Sequence, residues 1–195
     1  LFRIRDVQAA RSDALLAKFD VDMLLGEIAH DIGDHAAAMR HYRDALASAQ
    51  SEHDAVRLAK INAVLAFIEA RRMNAEAAVA LFEEAARQFK AFGDEVNATA
   101  MAGNNVSYAW LLARRHREAI APALNALRFF EQLGQPLYVS TSEANLAEAH
   151  AGLGLLDEAE AYAVRSLAHE ELYIRPYALY VLGDVSRQRG QFAAA

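Results

Sequence analysis

Cysteine does not occur in the 195 residues, so neither a disulfide framework nor thiolate chemistry is open to this chain. Proline occurs three times and glycine nine times, too few punctuating residues for a turn-rich β protein or a flexible linker. A continuous apolar run of about 18 residues is missing, which excludes a membrane-spanning helix. Concentrated positive charge is missing too. The net charge is -6 and the pI about 5.6, which argues against a nucleic-acid partner that would need a basic face. The chain has no glycine-rich phosphate loop, no Gly-x-Ser-x-Gly elbow and no isolated pair of carboxylates. Glu83-Glu84 and Asp157-Glu158 fall near helix starts or on exposed faces, where acids are ordinary.

What is abundant is alanine. Hydrophobic residues make up 54% of the chain, and alanine rather than valine or isoleucine supplies the excess. Alanine is the best helix former and leaves no bulk where two helices cross, so the expected class is all-α.

The alanines recur. Leu153 to Ala168 reads as the turn and second helix of a helical hairpin, with Ala159 at the helix crossing. Its counterparts are Ala38, Ala78, Ala119 and Ala195, at successive gaps of 40, 41, 40 and 36 residues. A fixed period of this size means stacked supersecondary units. Two further sets share the register. Phe89-Lys90-Ala91-Phe92-Gly93 matches Phe130-Glu131-Gln132-Leu133-Gly134 at a spacing of 41, and Asn62, Asn105 and Asn145 each stand four residues before an alanine.

The expected hairpins cover about residues 13–50, 54–92, 94–133 and 137–169, with a truncated fifth at 176–195 that Pro176 opens. The first has helix A ending near Ala29, a turn at Gly33-Asp34-His35 and helix B over about 36–50. Gly33 fits the left-handed position after a helix. The second turn, Arg72 to Ala75, reads as about two residues longer than the others. Pro122, past the first turn of its helix, predicts a bend or an irregularity. Leu15, Leu16 and Phe19 follow a helical pattern with Ser12 or Asp13 as N-cap, and Leu1 to Asp6 reads as the tail of a preceding helix. Starting without Met and stopping just inside a new helix, the sequence reads as a piece of a longer protein.

The small–large pattern Leu25-Gly26…Ala29…Ala38…Tyr42…Ala45, repeated as Leu65-Ala66…Ala78…Phe82…Ala85, resembles a tetratricopeptide-repeat array. The units are nearer 40 residues than 34, and the early aromatic of helix A is missing. Long units ending in Phe-x-x-Leu-Gly or Phe-x-x-Phe-Gly resemble the sensor arrays of bacterial LuxR-type regulators and multidomain signalling ATPases, and less closely kinesin light chains and peptide-receiving quorum regulators. The resemblance implies one all-α, right-handed α-α superhelix of about four and a half hairpins. Its concave face, lined mostly by A helices, would receive a peptide or protein. The family register places Met23, Glu27, Phe67, Arg71, Asn104, Tyr108, Glu148, Tyr180, Asp184 and Arg187 on that face. Asn104 would offer an amide and Tyr108 an amphipathic ring.

The expected function is therefore a non-catalytic, cytoplasmic binding scaffold, the sensor or interaction segment of a bacterial regulator, without cofactor, metal or catalytic residue. Structural self-assembly is the alternative. Asn62, Asn105 and Asn145 are expected to bond between neighbouring hairpins. Arg71-Arg72, Arg114-Arg115 and Arg117 would offset helix C-terminal dipoles or form an edge for an acidic partner. His30-Asp31-Ile32-Gly33-Asp34-His35 resembles the metal-binding motif of His-Asp phosphohydrolases. The further ligands which that chemistry needs are not found, and the same residues already serve as helix end and turn, so a metal hydrolase is a remote alternative. The other histidines lack ligand spacing. Asn97-Ala98-Thr99 and Asn105-Val106-Ser107 match the glycosylation pattern by chance.

Overall fold

The computed structural model describes residues 17–190, and the expectations placed on 1–6, Ser12, Asp13, Leu15, Leu16 and Ala195 lie outside them. The regular structure of the described residues is all helix, with no strand among them. The helices are α1 (Lys18–Asp31), α2 (His35–Glu52), α3 (Ala55–Arg71), α4 (Ala75–Ala91), α5 (Glu95–Thr99), a π-helical stretch (Ala100–Asn105), α6 (Val106–Leu112), α7 (His116–Leu133), α8 (Pro136–Gly152), α9 (Leu156–Ala168) and α10 (Arg175–Gln188). None of them is long and apolar enough to cross a membrane.

The turns repeat as the alanines do. Gly33, Met73, Arg114 and Gly154 all have positive φ, at gaps of 40, 41 and 40 residues. A second series, His53, Gly93 and Gly134, does the same between hairpins. Each such residue swings the chain out of one helix and leaves one residue to start the next. Asp34, Asp54 and Asp94 are those starting residues in three cases, and their carboxylates accept the N–H of Ala37, Arg57 and Asn97 at 2.9–3.0 Å. The second turn corrects the expectation of extra length. Met73 takes φ +64° where glycine stands in the first turn, so the turn is no longer than its counterparts.

The chain divides into two compact units, Leu1–Leu65 and Ala66–Ala195, with the boundary inside α3. In the first unit α1 packs on α2. Gly26 allows this, because a Cβ there would run into the ring of Tyr42. Phe19, Val21, Leu25 and Ala29 of α1 and Ala38, Tyr42, Ala45 and Ala49 of α2 are buried. Arg57, at the start of α3, reaches Asp20 at 3.4 Å, pairs with Glu52, and lies 5.2 Å over the ring of Phe19.

In the second unit each helix from α7 on packs against its successor, and α8 packs on α10 as well as α9. Ala66, Ala70, Ala78, Phe82, Val106 and Ala109 form one apolar cluster, and Ala123, Ala126, Leu127, Phe130, Val139 and Leu146 the heart of the next. Ala78, Ala119 and Ala159 are all fully buried, as crossing residues must be. Burial of Phe82 or Phe130 contributes about 1.5–3 kcal/mol each.

The third hairpin is irregular in a place the sequence does not announce. Helix α7 runs through Pro122 from His116 to Leu133, while the facing helix carries the π-helical stretch. There Gly103 sits against α7, where a Cβ would lie 2.5 Å from the Ala126 Cβ and 3.1 Å from the Pro122 carbonyl oxygen. A π turn holds one extra residue, which shifts the face a helix presents.

Candidate functional site

Phe67, Tyr108 and Glu148 hold one repeat position on three successive A helices (α3, α6 and α8), spaced by 41 and 40 residues. The structure carries them along one surface of the second unit. The rings of Phe67 and Tyr108 lie 6.1 Å apart, and Phe67 also meets Phe82 edge-on at 4.9 Å. Beyond Tyr108 comes Tyr177 of α10, whose hydroxyl donates to Glu148 Oε2. Burial is the main cause that pushes the Tyr177 phenol well above its ordinary range, and Glu148 and Tyr108 add to it. Tyr177 is thus a fixed hydroxyl donor that orients Glu148.

Past Glu148 the surface sinks into a cavity of about 160 Å³ bounded by the α6–α7 turn, the end of α8 and α10. Four sequence-predicted residues line it: Glu148, Tyr180, Asp184 and Arg187. Arg114, His116, Gly152 and Gln188 complete the wall. Asp184 is held by Arg187 and by Gln188 at 2.7 Å. Its burial opposes ionisation, but these hydrogen bonds outweigh it and leave the carboxyl below its usual range. His116 is shifted the other way. Burial and then Arg114 disfavour its cation, against a smaller pull from Glu148. Its Nδ1 is buried without a hydrogen-bond partner among the described residues.

Asn104 is not part of this surface, which corrects the sequence expectation. Its side chain is 2% exposed. It donates to the Tyr138 carbonyl at 3.1 Å and accepts from Ser142 at 2.6 Å, while Asn145 donates to the Asn104 carbonyl at 2.9 Å. The amide joins α8 to the π-helical stretch and is not available to a partner. Asn145 does bond between hairpins as expected. Asn105 instead contacts the sulfur of Met101 in its own helix, a correction that follows from the π turn. Of the remaining predicted residues, Arg71 is exposed in the last turn of α3, while half-buried Met23 and exposed Glu27 belong to α1 in the first unit.

Two constellations escape sequence reasoning. Glu143, 1% exposed in α8, is met by Arg165 at 2.7 Å and His169 at 3.1 Å beside a cavity of about 460 Å³. Burial, the largest influence, raises its pKa against the opposing pull of Arg165 and His169. In the first unit Asp22, His41 and Asp44 bring one ligand atom each within 4.8 Å of one another. Among the described residues these three, not His30 and Asp31, are the ones whose donor atoms come together closely enough to hold a metal ion. However, the Lys18 ammonium already sits 2.6 Å from Asp22. Arg114 and His116 leave a fainter mark in the sequence: an arginine stands at the turn position that glycine fills at 33 and 154. No protein-family model matches the chain, and no curated protein matches it either.

Proposed function

We propose that this chain is a non-catalytic binding scaffold, a tetratricopeptide-type right-handed solenoid whose A-helix face takes a protein or peptide in the cytoplasm. The observation that carries the reading is the row Phe67, Tyr108, Tyr177, Glu148, which leads across three successive A helices and α10 into the cavity at Arg114 and Arg187. Such a row offers aromatic area at one end and charge at the other, the make-up of a face that anchors a ligand and orients it. The repeated turns and buried crossing alanines support the solenoid, because repeats of this kind bury one face on their neighbours and leave an extended surface. A role as sensor or interaction segment of a larger regulator fits that surface.

The test is selection of peptides from a display library on the whole chain, followed by affinity measurements on variants. Phe67→Ala and Tyr108→Ala should each weaken a selected peptide at least tenfold, with helicity unchanged by circular dichroism. Lys90→Ala should not. Selected peptides indifferent to both aromatic residues would overturn the reading.

Self-assembly is favoured by a separate observation: Leu172 and Tyr173 are 82% and 87% exposed. Light scattering at rising concentration decides it, since a monomer throughout would exclude self-assembly.

A further inference from the structure

We propose that the cavity between the α6–α7 turn, the end of α8 and α10 binds the zwitterionic headgroup of a free α-amino acid. Its carboxylate would lie on Arg114 and its ammonium on the side of Glu148 and Asp184.

Arg114 is the first ground. Its guanidinium makes no hydrogen bond or ion pair with any described residue, although Arg187, on the same wall, is bound to Asp184. It stands in the left-handed backbone region at φ 60°, at the turn position that the first and fourth repeats fill with glycine and the second with Met73. The Arg114 side chain is exposed on the cavity wall, its charge felt by Asp184, and its planar fork of donors has the geometry that receives a carboxylate.

Negative groups are the second ground. Glu148 gives one oxygen to Tyr177, and a carboxylate has about four acceptor sites in all. Asp184 lies on the same wall, its carboxyl kept below the usual range, against burial, by Arg187, Gln188 and the more distant Arg114. Ala151 and Gly152 bring the C-terminal end of α8 to the cavity, and that end of a helix favours a cation. A plain anion meets two acids here, and a plain cation meets two arginines. A ligand carrying both signs satisfies the wall.

Size is the third. The cavity is small, about 160 Å³, on the scale of a headgroup. The side chain of the amino acid would leave past Tyr180, which is 62% exposed.

The inference does not rest on the peptide reading, and the two fail separately, because that reading is tested at Phe67 and Tyr108. The experiment is titration calorimetry and thermal shift on the whole chain with the common amino acids, each compared with its N-acetyl and carboxamide derivatives. At least one free amino acid should bind, and both blocked derivatives should bind at least tenfold more weakly. Arg114→Gln should lose at least tenfold in affinity, and Arg114→Gly should lose as much while melting no lower than the parent. That combination separates a ligand contact from a structural role. If no free amino acid binds, or if a blocked form binds equally well, the proposal is overturned. Binding retained in both Arg114 variants would overturn it too.

Discussion

Gly152, the last residue of α8, lies under the imidazole of His116, so close that a Cβ there would fall inside the ring's envelope. The two are 36 residues apart in sequence and form one wall of the cavity. Gly152→Ala gains helix propensity of about 1 kcal/mol but must displace His116, and overpacking of this kind costs about 1–3 kcal/mol. A lower melting temperature is expected. In the His116→Ala background the same substitution should be neutral or stabilising. Equal effects in both backgrounds, measured by urea unfolding, would show that the contact carries no energy.

Non-glycine residues at the repeated turns store strain. A left-handed conformation costs an L-residue about 1–2 kcal/mol, so Met73→Gly should raise stability, less the entropy that glycine returns to the unfolded chain. Gly154→Ala, at φ +76°, should lower it by about 1 kcal/mol. Opposite signs from equivalent positions are the expected result of chemical denaturation. The same sign from both would contradict the shared backbone role.

Ala119 is fully buried where α7 meets α6 and α8, beside Leu111 and Ala149. Replacing it with leucine overpacks the crossing and should cost about 1–3 kcal/mol, as should Ala78→Leu. An unchanged melting temperature for either would place the crossing elsewhere.

Asn104 joins Tyr138, Ser142 and, through its carbonyl, Asn145. Asn104→Ala leaves buried polar groups without partners, at about 1–3 kcal/mol, and a cycle with Ser142→Ala should show coupling. Ligand capture by the folded fraction should not change. A selective loss of binding at full stability would return Asn104 to the surface.

His116 makes stability depend on acid. Its folded pKa lies below the ordinary 6.5, chiefly through burial, so the unfolded chain holds the proton more tightly. The contribution is fully present above 6.5 and is lost as pH falls below that value toward the folded pKa. The melting temperature of the parent should therefore fall more between about pH 7 and about pH 5 than that of His116→Gln. Parallel curves would mean that the imidazole titrates as it does in water.

Much of the fold was legible in the residues themselves. The period of the alanines, the glycines after helices and Pro176 at a helix start are local or self-repeating signals, and each follows from backbone sterics that act within a few residues. Alanine is one of the few residues small enough for a helix crossing, so its recurrence reports the packing directly. The candidate site was legible in part, since Phe67, Tyr108, Glu148, Tyr180 and Asp184 follow from register once the helices are aligned. The rest depended on contacts between distant segments. A single π turn moved Asn104 from the expected surface into the interface with α8, and hydrogen bonds to Tyr138 and Ser142 made that burial affordable. No local pattern distinguishes an asparagine that faces solvent from one that meets a carbonyl 34 residues on. The same holds for buried Glu143 and for the match of Gly152 to His116. Periodicity settled which face each helix buries; tertiary packing decided which polar groups remain free to bind, because that depends on the partner each one finds.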